Sequence, residues 1–181
     1  VIAFAKAHPG KMSFASAGNG TSDHLTAELF WQQTGTSGVH IPYKGGAPAH
    51  TDLIGGQVDA SFQNINAIVQ YVKNGRMRAL AITSATRSAQ LPEVPTMTEA
   101  GVPMQVTAWF GLLAPAGTPD AVVERIQQSA RRAMQTAEVR PRFADLGGVP
   151  GGETPAEYDA FIAQERKSWA QIVKAAGLSL E

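Results

Sequence analysis

The 181-residue sequence contains no cysteine. Disulfides, thiolate nucleophiles and cysteine metal sites are therefore excluded, and the redox compartment stays open. Charge is scarce and balanced. Charged side chains make up 17% of the chain, and 15 basic residues offset 15 acidic ones; a globular chain usually carries about a quarter. A protein with no basic face has nothing with which to release counterions from phosphate, so no nucleic acid or other polyanion is expected as a partner. Long apolar runs are lacking too. Runs such as 79–82 and 110–115 fall far short of the roughly 20 residues that a bilayer-crossing helix needs. His8, His24, His40 and His50 show neither H-x-x-x-H nor H-E-x-x-H spacing, so no metal or other cofactor is expected.

What the chain does contain is alternation. The length suits one ordinary domain, or one and a fraction, and 18 Gly with 11 Pro imply tight, specified connections. Residues 1–10 read as the last two turns of a helix stopped by Pro9-Gly10, with no capping residue at the start. The expectation is a C-terminal portion of a longer protein, from which any targeting peptide is missing rather than shown to be lacking. A strand over 12–17 then meets Gly18-Asn19-Gly20, and a helix follows from Thr21 or Ser22 to about Gln33. The order repeats twice. Strand 39–43, turn Lys44-Gly45-Gly46 and helix 48–54 precede strand 58–62, turn Gln63-Asn64 and helix 65–73, with a further strand over 78–83. Strands alternating with helices predict an α/β fold with a parallel or mixed sheet covered on both faces.

Beyond Thr83 come a loop and a short helix boxed by Thr96 and Glu99, then a long strand over 106–114. Thr118-Pro119 is expected to cap a helix carrying Val122, Val123, Ile126, Ala130 and Met134 at helical spacing. A shorter helix, 139–145, separates it from one opened by the capping box Thr154 to Glu157, and 178–180 is a candidate last strand. Composition shifts near Val106, after which no further parallel strands follow.

Chemistry concentrates in the turns. Glycines in 16–24 let the backbone approach a ligand, and the helix start behind them offers free N–H groups and a positive dipole end to a carboxylate or phosphate. The bland reading is a tight turn with Thr21 or Ser22 as helix cap. No Lys follows Gly20 as in a P-loop, and the third glycine of a dinucleotide fingerprint is absent. If the three strands are parallel, the turns after them fall at one end of the sheet, where such folds bind ligands. Lys44 reads equally as a solvated loop charge. Catalysis finds less support. Ser16 or Ser22 near His24 is adjacency in sequence, not a triad, and no G-x-S-x-G elbow occurs. Asp52 and Asp59 read as helix-terminus charges, and Trp31, Trp109 and Trp169 as core or domain-contact residues rather than a stacking platform.

Five segments carry a family resemblance: 16–25 (S-A-G-N-G-T-S-D-H-L), 39–58 (V-H-I-P-Y-K-G-G-A-P-A-H-T-D-L-I-G-G-Q-V), 78–83 (R-A-L-A-I-T), 91–101 (L-P-E-V-P-T-M-T-E-A-G) and 109–119 (W-F-G-L-L-A-P-A-G-T-P). In this order they resemble the substrate-binding receptors of tripartite tricarboxylate transporters, the Bug family. The resemblance implies a periplasmic, two-domain clamshell of the periplasmic binding protein type II class, with a mostly parallel sheet flanked by helices. Residues 1–107 would form its second domain, and 108–181 a crossing strand and helices completing a first domain whose N-terminal part is absent. It further implies a small carboxylate held between the domains, no catalytic residues, and a membrane permease as partner. The half of the cleft in this chain would be Ser16, Gly18, Asn19, Gly20, Thr21, Ser22 and His24, then Tyr43, Lys44, Gly45 and Gly46, then Gln63 and Asn64. Where the family often shows F-D-N, this chain has Phe62-Gln63-Asn64. Loss of that acid implies a ligand without an amino group. An enzyme on a related two-domain fold is the competing reading. A third is a self-associating piece, exposing apolar helix faces around Phe161, Trp169 and Ile172.

Overall fold

The computed structural model describes residues 1–178. The chain divides into two compact units, one of residues 1–108 with 171–181, the other of residues 109–170. The first unit opens with helix α1 (Ile2–Ala7) and is organised around three parallel strands, β1 (Ser13–Ser16), β2 (Val39–Pro42) and β3 (Ala60–Ser61), in the order β2-β1-β3. Helices α2 (Ser22–Thr34), α3 (Gly46–Ile54) and α4 (Ile65–Lys73) follow the strands in turn.

Strand periodicity sorts the core. Phe14 faces a cluster with Ala27, Phe30 and Trp31 of α2 and Met97, Val102 and Met104. Its neighbour Ala15 points the other way, to Ala49 of α3 and to Val58. A third cluster joins Val69 of α4 to Leu91 and Val94. Phe14 meets the Trp31 ring edge-on at 5.2 Å between centroids, the geometry that the ring quadrupole favours. Gly38 is required by that packing. A Cβ there would lie 2.6 Å from the Trp31 ring and 2.9 Å from the Met12 carbonyl oxygen.

The far end of the sheet is pinned by one acid. Asp59 Oδ2 accepts from the backbone N–H of Ser13 at 2.8 Å and from its hydroxyl at 2.7 Å, and these bonds hold the Asp59 carboxyl below the usual carboxylate range.

Two expected strands do not form. Over 78–83 a single parallel bridge, Ile82 to Thr96, replaces the strand. Residues 106–114 form no ladder; Val106 donates to the Thr83 carbonyl, but a strand needs a partner along its whole length, and among the described residues none pairs with this one. The Thr96–Glu99 box is made, with Thr96 N–H to Glu99 Oε2 at 2.7 Å and Glu99 N–H to Thr96 Oγ1 at 3.1 Å, yet it closes a turn rather than a helix. The expected strand at 178–180 lies, apart from Leu178, outside the described residues.

In the second unit, α5 (Asp120–Met134) and α6 (Val139–Asp145) lead into α7 (Pro155–Ala176), whose residues beyond 170 belong to the first unit. Pro119, not Thr118, is the N-cap of α5; the Thr118 hydroxyl donates instead to the Pro115 carbonyl at 2.8 Å. The box at α7 forms as its residues predict, with Thr154 N–H to Glu157 Oε2 at 2.8 Å and Glu157 N–H to Thr154 Oγ1 at 3.3 Å. Trp109 packs edge-on against Tyr158 and Phe161, and Glu165 Oε2 accepts from the indole N–H of both Trp109 and Trp169.

Candidate functional site

Because all three strands run parallel, the turns that leave them emerge at one end of the sheet, and α2, α3 and α4 all begin there. That places 17–21, 43–45 and 62–64 side by side beneath three helix N-termini, the arrangement that favours negative charge. The turns also hold one another. Tyr43 N–H donates to the Ser16 carbonyl at 3.0 Å and Gly45 N–H to the Ala17 carbonyl at 2.9 Å. Gly18, at φ 145, leaves only van der Waals room beneath the Tyr43 carbonyl, and Gly45, at φ 104, adopts a backbone that favours glycine.

Each predicted residue has a definite place. Ser16 is 1% exposed; its hydroxyl lies 3.1 Å from both the N–H and the carbonyl oxygen of Gly18 and 2.6 Å from His40 Nε2. Thr21 closes the first turn by donating to the Gly18 carbonyl at 2.8 Å, and Ser22 donates to Asp23 Oδ1 at 3.3 Å. Asn19 and Lys44 are exposed, while Gly20, Gly46 and Asn64 are half-buried. Tyr43 donates its hydroxyl to Asp52 Oδ2 at 2.7 Å, and that bond raises the phenol's pKa. His24 is buried behind the turn. Its Nδ1 accepts the Gly20 N–H at 3.1 Å, so this nitrogen carries a lone pair, and its Nε2 lies 3.6 Å from Glu28 Oε1. Burial raises the Glu28 carboxyl, against the pull of His24.

The residues missing from the sequence reading are His40, Asp23, His50 and Ser61. His40 pairs with Phe14 in the sheet register, so its ring lies on the face of Phe14 and Ser16. There it stacks on His24 at 3.7 Å between centroids and 6° between planes. Burial first, and then the neighbouring His24 ring, pushes the His40 pKa from 6.5 to about 4. Asp23 is 6% exposed; it accepts from Ala17 N–H at 3.1 Å and from Gln63 Nε2 at 3.4 Å. Burial is the largest influence on it and raises its pKa despite those donors. Gln63 also takes the His50 Nε2–H on its Oε1 at 2.7 Å and donates to Ser61 Oγ at 2.7 Å. Only the strand register could have revealed these pairings.

Chemically, the turns present amides and small hydroxyls. Ser16 and His40 make a hydroxyl–imidazole contact, but Ser16 is buried beneath the turn, out of reach of a substrate, and its hydroxyl is bound to Gly18. Among the described residues no cluster of three or more His, Asp or Glu is placed to hold a metal ion.

A parallel α/β unit with its glycine turns and helix starts gathered at one sheet end has the fold of the periplasmic binding proteins. The chain belongs to the tripartite tricarboxylate transporter receptor family, whose model matches residues 1–178. BugT of Bordetella pertussis is 40% identical over 182 residues, covering all of this chain and 56% of its own length. An R. palustris protein solved with adipate is 31% identical at a TM-score of 0.92, covering 98% of this chain and 60% of its own. MatC from Rhodopseudomonas palustris, solved with bound malate, is 30% identical at a TM-score of 0.87, covering 95% and 60%. The chain spans about half the length of the curated relatives it matches.

Proposed function

We propose that this chain is part of a periplasmic solute receptor that binds a small carboxylate and delivers it to the permease of a tripartite transporter. The observation that carries the reading is the convergence of three glycine or amide turns and three helix N-termini at one end of a parallel sheet. Such an end offers backbone N–H groups and a favourable dipole to an oxyanion. The adipate and malate held by relatives of the same fold support that ligand class. On this reading the chain is a receptor and not an enzyme. The ligand meets the turns of Ser16 to Ser22, Tyr43 to Gly46 and Gln63 to Asn64, with His24 as support behind the first. Residues 1–107 act as one jaw of a clamshell, and 108–181 complete the other, closing by a hinge as such receptors do.

Gln63 refines the ligand class. Its amide is engaged by Asp23, His50 and Ser61, and Asp23 already accepts from Ala17 and Ser22. An ammonium group would find no free carboxylate there, which favours an acid without an amino group. A thermal-shift screen of the full-length protein tests the reading, because a ligand that binds the folded state alone must raise the midpoint. Adipate or malate is expected to raise it more than aspartate or glutamate. Consumption of a carboxylate or ester without any shift would replace the receptor with an enzyme.

A second reading rests on the apolar surface of residues 109–170. Phe110, Leu112 and Leu113 are 83%, 73% and 74% exposed, and a shallow cleft of about 750 Å³ runs beside Leu112, Val122, Arg125 and Ile126. Such a surface favours self-association of this chain when nothing else covers it.

A further inference from the structure

Asp23 sits in the first turn of α2, His50 in α3 and Gln63 in the turn after β3, so each belongs to a different strand–turn–helix unit. They nevertheless form one continuous chain of hydrogen bonds. His50 Nε2 donates to Gln63 Oε1 at 2.7 Å. Gln63 Nε2 donates to Ser61 Oγ at 2.7 Å and to Asp23 Oδ2 at 3.4 Å, and Asp23 Oδ2 accepts the Ala17 N–H at 3.1 Å. Ser61 passes its own proton to the Ala15 carbonyl at 2.6 Å, so its oxygen is free to accept. Every donor therefore meets an acceptor, and the chain has a single polarity from imidazole through amide to carboxylate. Only a side chain with an acceptor at one corner and two donors at the other satisfies the middle position.

Resting on the receptor reading above, we propose that Gln63 is the positioning residue of the carboxylate site: it locks all three ligand turns into one geometry by joining His50 to Asp23. A buried polar network that is fully satisfied rigidifies its surroundings, whereas a half-satisfied one costs more than an apolar core. A turn held in place before the ligand arrives leaves less ordering to be done on binding. An acid at position 63 would set a second carboxylate against Asp23, and an apolar residue would leave the His50 N–H without this acceptor and take one donor from Asp23. Gln63 is thus the one neutral link between a buried acid and a buried base, acting on the ligand through the backbone it fixes.

Breaking the pair from each side tests this in the full-length protein, with adipate and malate as calorimetric probes. Gln63→Glu is expected to weaken binding about tenfold and Gln63→Leu at least as much. Asp23→Ala and the double variant Asp23→Ala with Gln63→Leu complete a cycle across the bond. The double variant should lose less than the sum of the two single losses, the signature of direct coupling. Asp23→Asn alone should also weaken binding. If it tightens binding instead, net charge governs the site and the proposal fails. It fails equally if the losses of Asp23→Ala and Gln63→Leu simply add in the double variant while all are folded, or if Gln63→Glu binds like the parent.

A ligand-free readout separates this proposal from the receptor reading. Hydrogen exchange at the Ala17 amide should quicken at least about tenfold in Gln63→Glu and in Gln63→Leu, because its acceptor loses its anchor. If neither adipate nor malate binds the parent while Ala17 behaves in this way, the receptor's ligand class is wrong and the network stands. Unchanged Ala17 exchange in every variant overturns the network whatever binds.

Discussion

The two units of this chain treat their apolar side chains in opposite ways. Among the described residues every buried side chain, from Ala5 to Met104, belongs to the unit built on the parallel sheet. The unit of residues 109–170 contains none, although its helices present Val122, Ile126 and Phe161 in regular apolar stripes. Both contain well-formed helices. The difference teaches that capping and periodicity suffice to define a helix, while a core needs a second surface contributed from elsewhere in the fold. The three clusters around the sheet have that second surface within the first unit. The aromatic group of Trp109, Tyr158 and Phe161 settles for contacts among its own rings, with Trp109 and Phe161 each about 40% exposed.

Removing one aromatic ring from each unit is the strongest way to break this comparison. Phe14→Ala deletes a ring packed between Phe30, Trp31 and Phe62 and should cost about 3–5 kcal/mol in denaturant unfolding. Phe161→Ala, losing a ring already in partial contact with water, should cost about 1 kcal/mol or less. Equal losses would mean that the second unit has a core after all.

A smaller effect, confined to the sheet unit, comes from His40. Its pKa lies at about 4 in the folded chain instead of 6.5, so between those values the unfolded chain binds a proton that the folded chain refuses. Stability from this residue is complete above about pH 6.5 and is lost as pH falls toward 4. After allowance for partial solvent screening the loss is about 1–2 kcal/mol. His40→Gln should flatten that limb of the pH profile of thermal unfolding, and an unchanged profile would sink the assignment.

The smallest effect sharpens the other side. Thr154→Ala removes the box at the start of α7 and should cost about 1 kcal/mol. Circular dichroism and amide exchange should show fraying of the first turn of α7, with the amides of β1 unaffected.

The same division explains how much could be read without coordinates. Helices α4 and α6 occur over Ile65–Lys73 and Val139–Asp145, the spans their spacing predicts, because stop signals such as Asn74-Gly75 and Gly147 act within a turn. The strand expected over 106–114 fails because the same apolar pattern, without a neighbour, makes no ladder. Within the candidate site, Ser16, Tyr43 and Gln63 were legible as turn residues. Their partners His40, Asp23 and His50 were not, since which side chains meet around a sheet depends on how segments 13 to 40 residues apart are aligned.

The middle strand of the sheet is also its first in sequence, and this bears on how the chain is made. At a synthesis rate of about 5–20 residues per second, the 46 residues between Ser13 and Asp59 take roughly 2–9 s to appear. For that interval β1 is a nascent strand with one or both edges open, and Phe14 has no sheet to join. The first strand of this sheet to emerge is thus the last whose pairing can be completed. A holding chaperone, or an unfolded passage across a membrane, would meet its clearest target in the stretch from Met12 to Ala17.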